Sequence, residues 1–169
     1  MQVFETERLV VRHLEDADLP DFYAVCSDPV AMRYMGDGEP LTEEQTALWI
    51  RRSKANYDDH AFGCMAVIDK QHNSFIGFCG LVYAPGSTDV EIIYALAQPY
   101  WGQGLATEVV GAMLKFGLEQ CGLSEILATI DPENTNSVKV VEKLGMTFVG
   151  ERIDEDAVHI LVYSIKLNR

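Results

Sequence analysis

The amino-acid sequence predicts an α+β domain, a mixed β-sheet of about six to seven strands flanked by about four helices. Three observations carry this prediction. Short runs rich in β-branched and aromatic residues at 64–69, 74–83 and 89–96, parted by polar or glycine-containing turns, predict an antiparallel meander. The third of these runs is followed by a helical pattern and then by the compact run Glu125–Ile130, a βαβ unit whose right-handed crossover makes its two strands parallel. Between that strand and helix stands Tyr100-Trp101-Gly102-Gln103-Gly104-Leu105-Ala106-Thr107, a turn stripped of side-chain bulk at a helix N-terminus.

The elements follow in order. Residues 8–14, Arg-Leu-Val-Val-Arg-His-Leu, are short and partly alternating, which predicts a first strand with Leu9 and Val11 on one face. Glu15, Asp16 and Asp18 supply capping carboxylates before Leu19, Phe22, Tyr23 and Cys26, which recur at helical spacing until Ser27-Asp28-Pro29 ends the pattern. Residues 29–35 read as a short second helical piece. Thr42 and Gln45 form a capping box, and Ala47, Leu48, Ile50 and Ala55 fall within the helix it opens. Lys70-Gln71-His72-Asn73 turns the first hairpin and Pro85-Gly86-Ser87-Thr88 the next. In the strand 89–96, Val90, Ile92, Tyr94 and Leu96 share one face, and Glu91, Ile93 and Ala95 the other. The crossover helix carries a wide apolar stripe, Val109, Val110, Met113, Leu114, Phe116 and Leu118, and ends near Cys121-Gly122. A helix at 134–143 stops at Gly145, and runs at 147–153 and 159–166 close the chain as a hairpin.

With 169 residues and 48% apolar content, the chain suits one domain with a core on each side of a sheet. A net charge of -13 and a pI near 4.6 argue against a general nucleic-acid binder or an anionic membrane surface, whereas a cationic amine would be attracted. The start Met1-Gln2-Val3-Phe4-Glu5 places no basic segment ahead of an apolar core, so a cytoplasmic protein is expected. Cys26, Cys64, Cys79 and Cys121 are scattered without metal-ligand spacing, which predicts reduced thiols, no disulfide framework and no metal.

The glycine turn has lookalikes. Gly102-Gln103-Gly104-Leu105-Ala106-Thr107 begins like a dinucleotide fingerprint, but Thr107 stands where a third Gly or Ala belongs, and the unit comes late in the chain. No Gly-Lys-Ser/Thr follows, which excludes a Walker-type phosphate loop. What remains is either a tight strand-to-helix turn or an anion site, the latter because amides converge at the positive end of a helix and glycine and alanine leave room to approach them.

The segment Trp101-Gly102-Gln103-Gly104-Leu105-Ala106 resembles the acyl-CoA-binding motif of the GNAT N-acetyltransferase superfamily, Q/R-x-x-G-x-G/A before a helix. Trp101 in place of the usual Gln or Arg, followed by Thr107-Glu108, is similar to the RimJ/RimL-type branch, the ribosomal-protein N-terminal acetyltransferases. Thr6-Glu7-Arg8-Leu9, Ser27-Asp28-Pro29, Ile76-Gly77-Phe78-Cys79-Gly80-Leu81, Asn134-Thr135-Asn136-Ser137 and Glu142-Lys143-Leu144-Gly145 extend the resemblance over nearly the whole chain. It implies a strongly bent sheet whose fourth and fifth strands splay apart to admit the pantetheine arm. It also implies acetyl-CoA as cosubstrate, direct transfer to a primary amine on a protein N-terminus or a small molecule, and a monomer or homodimer.

On this reading Leu96, Trp101, Gly102, Gln103, Gly104, Leu105, Ala106, Thr107, Asn134 and Ser137 bind the cofactor. Many members of the superfamily place a tyrosine acid seven residues after the helix asparagine. Here that position is Val141, which raises the alternative of a catalytically weak acyl-CoA-binding or sensing module. The resemblance implies Ser137 instead, one turn earlier on the same helix at a position that carries Ser in the RimJ/RimL-type branch, as a hydroxyl donor to the sulfur or the pantetheine. Glu91, on a largely apolar strand leading into the loop, is the candidate base, because desolvation raises a carboxylate's proton affinity. His159 and Tyr163, four apart on the last strand, share a face and are candidates to line the acceptor pocket, and Asp37, Glu39, Glu43 and Glu44 offer acidic residues toward a cation.

Overall fold

The computed structural model describes residues 1–154 and 157–168. Its chain runs β1 (Gln2–Glu5), β2 (Leu9–His13), α1 (Leu19–Cys26), α2 (Glu43–His60), β3 (Cys64–Asp69), β4 (Ser74–Tyr83), β5 (Val90–Leu96), α3 (Leu105–Glu119), β6 (Glu125–Ile130), α4 (Thr135–Lys143), β7 (Thr147–Ile153) and β8 (His159–Lys166). Among the described residues the strands form one sheet in the order β1-β2-β3-β4-β5-β6-β8-β7. Neighbours are antiparallel except β5 and β6, the two strands of the crossover unit. The mixed α+β fold expected from the sequence is therefore the fold observed.

Two differences have physical causes. The sheet gains β1, four residues paired to β2 at the sheet's edge with only Val3 and Phe4 half-buried. Residues 29–35 form turns instead of a helix: Asp28 accepts from the Met32 amide and from the Val30 amide, but the next bonds, Met35 to Met32 and Gly38 to Met35, are the shorter kind. Gly36 and Gly38, at φ +56° and +81°, then prevent a helical continuation.

Each face of the sheet carries its own core, as the period-two pattern of β5 requires. Val90, Ile92 and Leu96 pack with Val109, Val110, Met113 and Leu114 of α3, while Ala95 and the half-buried Ile93 join Phe22, Val25 and Cys26 of α1 and Phe78 of β4 on the opposite side. Gly77 and Gly80 lie on β4 where neighbouring backbone comes too close for a side chain. A Cβ on Gly77 would collide with the Ala95 carbonyl, and one on Gly80 with the Gly63 carbonyl.

The sheet does not stay closed. β4 and β5 remain paired as far as Gly77 opposite Leu96, whereas β5 meets β6 at the Glu91–Leu127 pair alone among the described residues. Beyond that point the two strands diverge toward the glycine turn and the start of α4. These are the fourth and fifth strands of the sequence reading, displaced by one in number because of β1. No helix of the described residues is long and apolar enough to cross a membrane.

Candidate functional site

The glycine turn is held open by its surroundings. The Trp101 indole N–H donates to the Leu96 carbonyl at 2.6 Å, tying the loop to the end of β5. Gly102 and Gly104 take φ of +73° and +78°, a conformation side chains resist, and Gly104 caps α3 with no side chain of its own. The first-turn amides of α3 are consequently left for a ligand, at the positive end of the helix.

Arg8 and Glu108 lock this turn to the start of β2. Glu108 Oε1 accepts from the Thr6 hydroxyl at 2.6 Å and from the Arg8 amide at 2.9 Å, and Oε2 accepts from Arg8 Nε at 2.7 Å. Arg8 Nη1 donates to the Gln103 carbonyl at 2.8 Å. Burial pushes the Glu108 carboxyl up, but Thr6 and Arg8 together hold it below its usual range, so it stays ionised.

A cavity of about 400 Å³ runs from the turn into the splay, lined by Leu96, Trp101, Gly102, Gly104, Leu105, Ala106, Thr107, Asn134 and Ser137. Of the ten residues expected to bind cofactor, Gln103 does not line it: its side chain donates to the Pro99 carbonyl and its own carbonyl receives Arg8. A second cavity of about 510 Å³ opens on the far side of β5 and β6, lined by Glu91, Ile93, Thr129, Asp131, Arg152 and Ile160 among others. Both cavities share Tyr34, Met35, Tyr94, Asn134 and Ser137, so they meet at the gap between the strands.

At that meeting point α4 begins. The Asn134 side chain caps the helix, its Oδ1 accepting the Ser137 amide at 3.3 Å, and its Nδ2 donates to Ser137 Oγ at 3.0 Å. Ser137 Oγ also lies 2.7 Å from the Tyr94 hydroxyl across the gap. Val141, 1% exposed, is part of the core behind them.

Glu91 faces the larger cavity. Burial pushes its carboxyl up, while Arg152, 2.9 Å away on β7, and the Thr129 hydroxyl at 3.3 Å pull it part of the way back. His159 and Tyr163 stand elsewhere: His159 pairs with Glu151 at 2.6 Å, and Tyr163 donates to Glu142 at 3.2 Å. Neither lines the two cavities. Among the described residues no group of three His, Cys, Asp or Glu side chains is placed to hold a metal.

Sequence reasoning missed Tyr94, Arg8 and Arg152 as parts of the site. The strand's alternation places Tyr94 on an apolar face, but a tyrosine facing a core needs a partner for its hydroxyl, and that requirement is a usable signal. Arg152 had none, because only the closing hairpin carries it to β5.

The model of the acetyltransferase (GNAT) domain matches residues 8–147. The chain belongs to the GNAT acetyltransferase family. A relative in Bacillus licheniformis, uncharacterized N-acetyltransferase p20, is 32% identical over 86% of this chain and 82% of its own. The crystal structure of a GNAT-family acetyltransferase from Bacillus anthracis superposes with a TM-score of 0.81 at 27% identity, over 96% of both chains. Two more distant structures share the fold alone. RimL, a ribosomal L7/L12 alpha-N-protein acetyltransferase in complex with coenzyme A, is 12% identical with a TM-score of 0.84 over 99% of this chain and 98% of its own. Spermidine N-acetyltransferase from Vibrio cholerae, in complex with CoA and spermine, is 20% identical with a TM-score of 0.79 over 95% and 96%.

As a GNAT enzyme the protein is an acyltransferase, and the cradle suits the family's acetyl-CoA. An uncapped helix start bordered by two left-handed glycines offers amides to a pyrophosphate, and the adjoining cavity continues into the splay.

Proposed function

We propose that this enzyme is an N-acetyltransferase that moves an acetyl group directly from acetyl-CoA to a primary amine, with the RimJ/RimL-type protein N-termini and small-molecule amines as its acceptor classes. The observation that carries the reading is the meeting of two cavities at the β5–β6 gap, one opening on the glycine turn and the other walled by the half-buried carboxyl of Glu91. Two GNAT folds that act on amines, one on a protein N-terminus and one on spermidine, support the acceptor class.

Each residue then has a task. The amides after Gly104 would hold the pyrophosphate, Trp101 and Leu96 fix the loop beside it, and Asn134 and Ser137 border the reacting end. Glu91 takes a proton from the incoming ammonium, since only the free amine is a nucleophile. Holding both substrates in line supplies much of the remaining acceleration. Asp37, Glu91 and Asp131 around the larger cavity favour a cationic acceptor there, with Arg33 and Arg152 limiting the excess of negative charge.

The test is release of free CoA from acetyl-CoA across a panel of amines that includes peptides with different first residues and polyamines. Turnover with at least one primary amine is expected. Tight acetyl-CoA binding with no release above the hydrolytic background on any acceptor would favour a CoA-binding module instead.

A further inference from the structure

Proton counting at the gap leaves one proton over. The Tyr94 and Ser137 hydroxyls lie 2.7 Å apart, and one of them donates in that bond. Ser137 Oγ already accepts from Asn134 Nδ2, which fixes Asn134 as a donor and leaves it no use for a hydroxyl proton at that atom. Whichever hydroxyl donates to the other, the second proton has no further acceptor among the described residues, and both groups line the two cavities. Tyr34 also borders both, but it sits on an exposed turn against the Arg33 guanidinium.

We propose that Tyr94 and Ser137 form one catalytic pair whose spare hydroxyl proton hydrogen-bonds to the acetyl thioester as the amine attacks. The proposal rests on the acetyl-transfer reading above. In the step, the amine nitrogen forms its bond to the acetyl carbon, the carbon–sulfur bond breaks, and its electron pair stays on sulfur. The proton lost by nitrogen goes to Glu91 and on to solvent, and the hydroxyl pair donates to the negative charge gathering on sulfur, which takes its lasting proton from solvent.

The pair donates a hydrogen bond and does not give up the proton outright. A phenol is a weaker acid than a thiol, and burial pushes the Tyr94 hydroxyl further up, only partly offset by Ser137. Such a donor stabilises the transition state without being consumed. Asn134, holding Ser137 from both its amide and its hydroxyl, is the positioning residue of the pair.

Tyr94→Phe keeps the ring and removes the hydroxyl. With the best amine from the panel, kcat should fall roughly 10- to 100-fold while the KM for acetyl-CoA stays within about twofold. Ser137→Ala should fall similarly, Ser137→Thr should recover most of that loss, and the double variant should be no slower than the slower single one, because the two act as a unit. Thermal stabilisation by acetyl-CoA, measured on each variant, separates a folding defect from a catalytic one. A Tyr94→Phe enzyme within twofold of wild type, losses that multiply in the double variant, or a rate loss matched by lost acetyl-CoA stabilisation would each overturn the pair. Absence of turnover in the wild type on every amine would instead remove the acetyl-transfer reading, and the pair with it.

Discussion

Glu91 holds a carboxyl in a place that resists charge, and Arg152 opposes that penalty without cancelling it. Burial raises its proton affinity and the 2.9 Å ion pair lowers it. A base works only when deprotonated, so kcat/KM should rise with pH through the Glu91 pKa. Removing the guanidinium leaves the desolvation unopposed and moves that pKa up. Arg152→Ala should therefore shift the acidic limb of the kcat/KM profile to higher pH, and Glu91→Gln should abolish the limb with a loss on the order of 10²-fold or more. A limb that survives in Glu91→Gln assigns the base elsewhere. His159→Ala, which removes the surface partner of Glu151, should stay within about threefold of wild type and serves as the control. At this scale the sequence told only part of the site. Asn134 and Ser137 were legible because a helix cap and its third residue meet by local geometry, and Glu91 because an acidic residue on an apolar strand stands out. Tyr94 and Arg152 act through partners 43 and 61 residues away, distances at which a linear pattern carries no information.

Local chemistry decides an element most firmly where it is reciprocal. Thr42 accepts the Gln45 amide at 3.1 Å while Gln45 accepts the Thr42 amide at 2.8 Å, and the 18-residue α2 starts where that capping box sets it. Thr42→Ala should cost about 1 kcal/mol and lower Tm by roughly 2–4 °C in calorimetry, with no change in acetyl-CoA binding, since α2 lies on the face away from the cradle. An unchanged Tm would mean that packing alone sets the helix start. The same logic explains which elements the sequence announced. β3, β4, β6 and β8 are largely apolar runs bounded by turn residues, and their limits follow from those runs. β1 is four residues long with charge at its end, and what makes it a strand is its neighbour β2, so it has no signal of its own. Residues 29–35 fail in the other direction: they carry an apolar spacing that suits a helix, but two glycines a few residues later and the Asp28 side chain close the backbone into turns.

The described residues form one sheet that parts at a single seam, with a cavity on each side of the opening. That arrangement follows from joining an antiparallel meander to a parallel crossover unit: the meander stays paired to its end, and the single β5–β6 pair at Glu91–Leu127 leaves the rest of the seam to be filled by something that is not backbone. A ligand that fills it should bind the native state alone and stabilise the entire fold. At 100 times its dissociation constant, acetyl-CoA should add about 2.7 kcal/mol, which for a chain of this size raises Tm by roughly 5–10 °C. Gly104→Val tests whether that stabilisation enters through the cradle. A Cβ at Gly104 meets only Arg8 Nη2, at 3.6 Å, so the protein has room for it, but φ of +78° disfavours any β-branched residue and the added methyls stand among the amides that receive the ligand. The variant should fold with a Tm a few degrees lower and gain nothing from acetyl-CoA at concentrations that stabilise wild type. Gly104→Val that keeps the full wild-type shift would show that the cofactor binds elsewhere on the sheet.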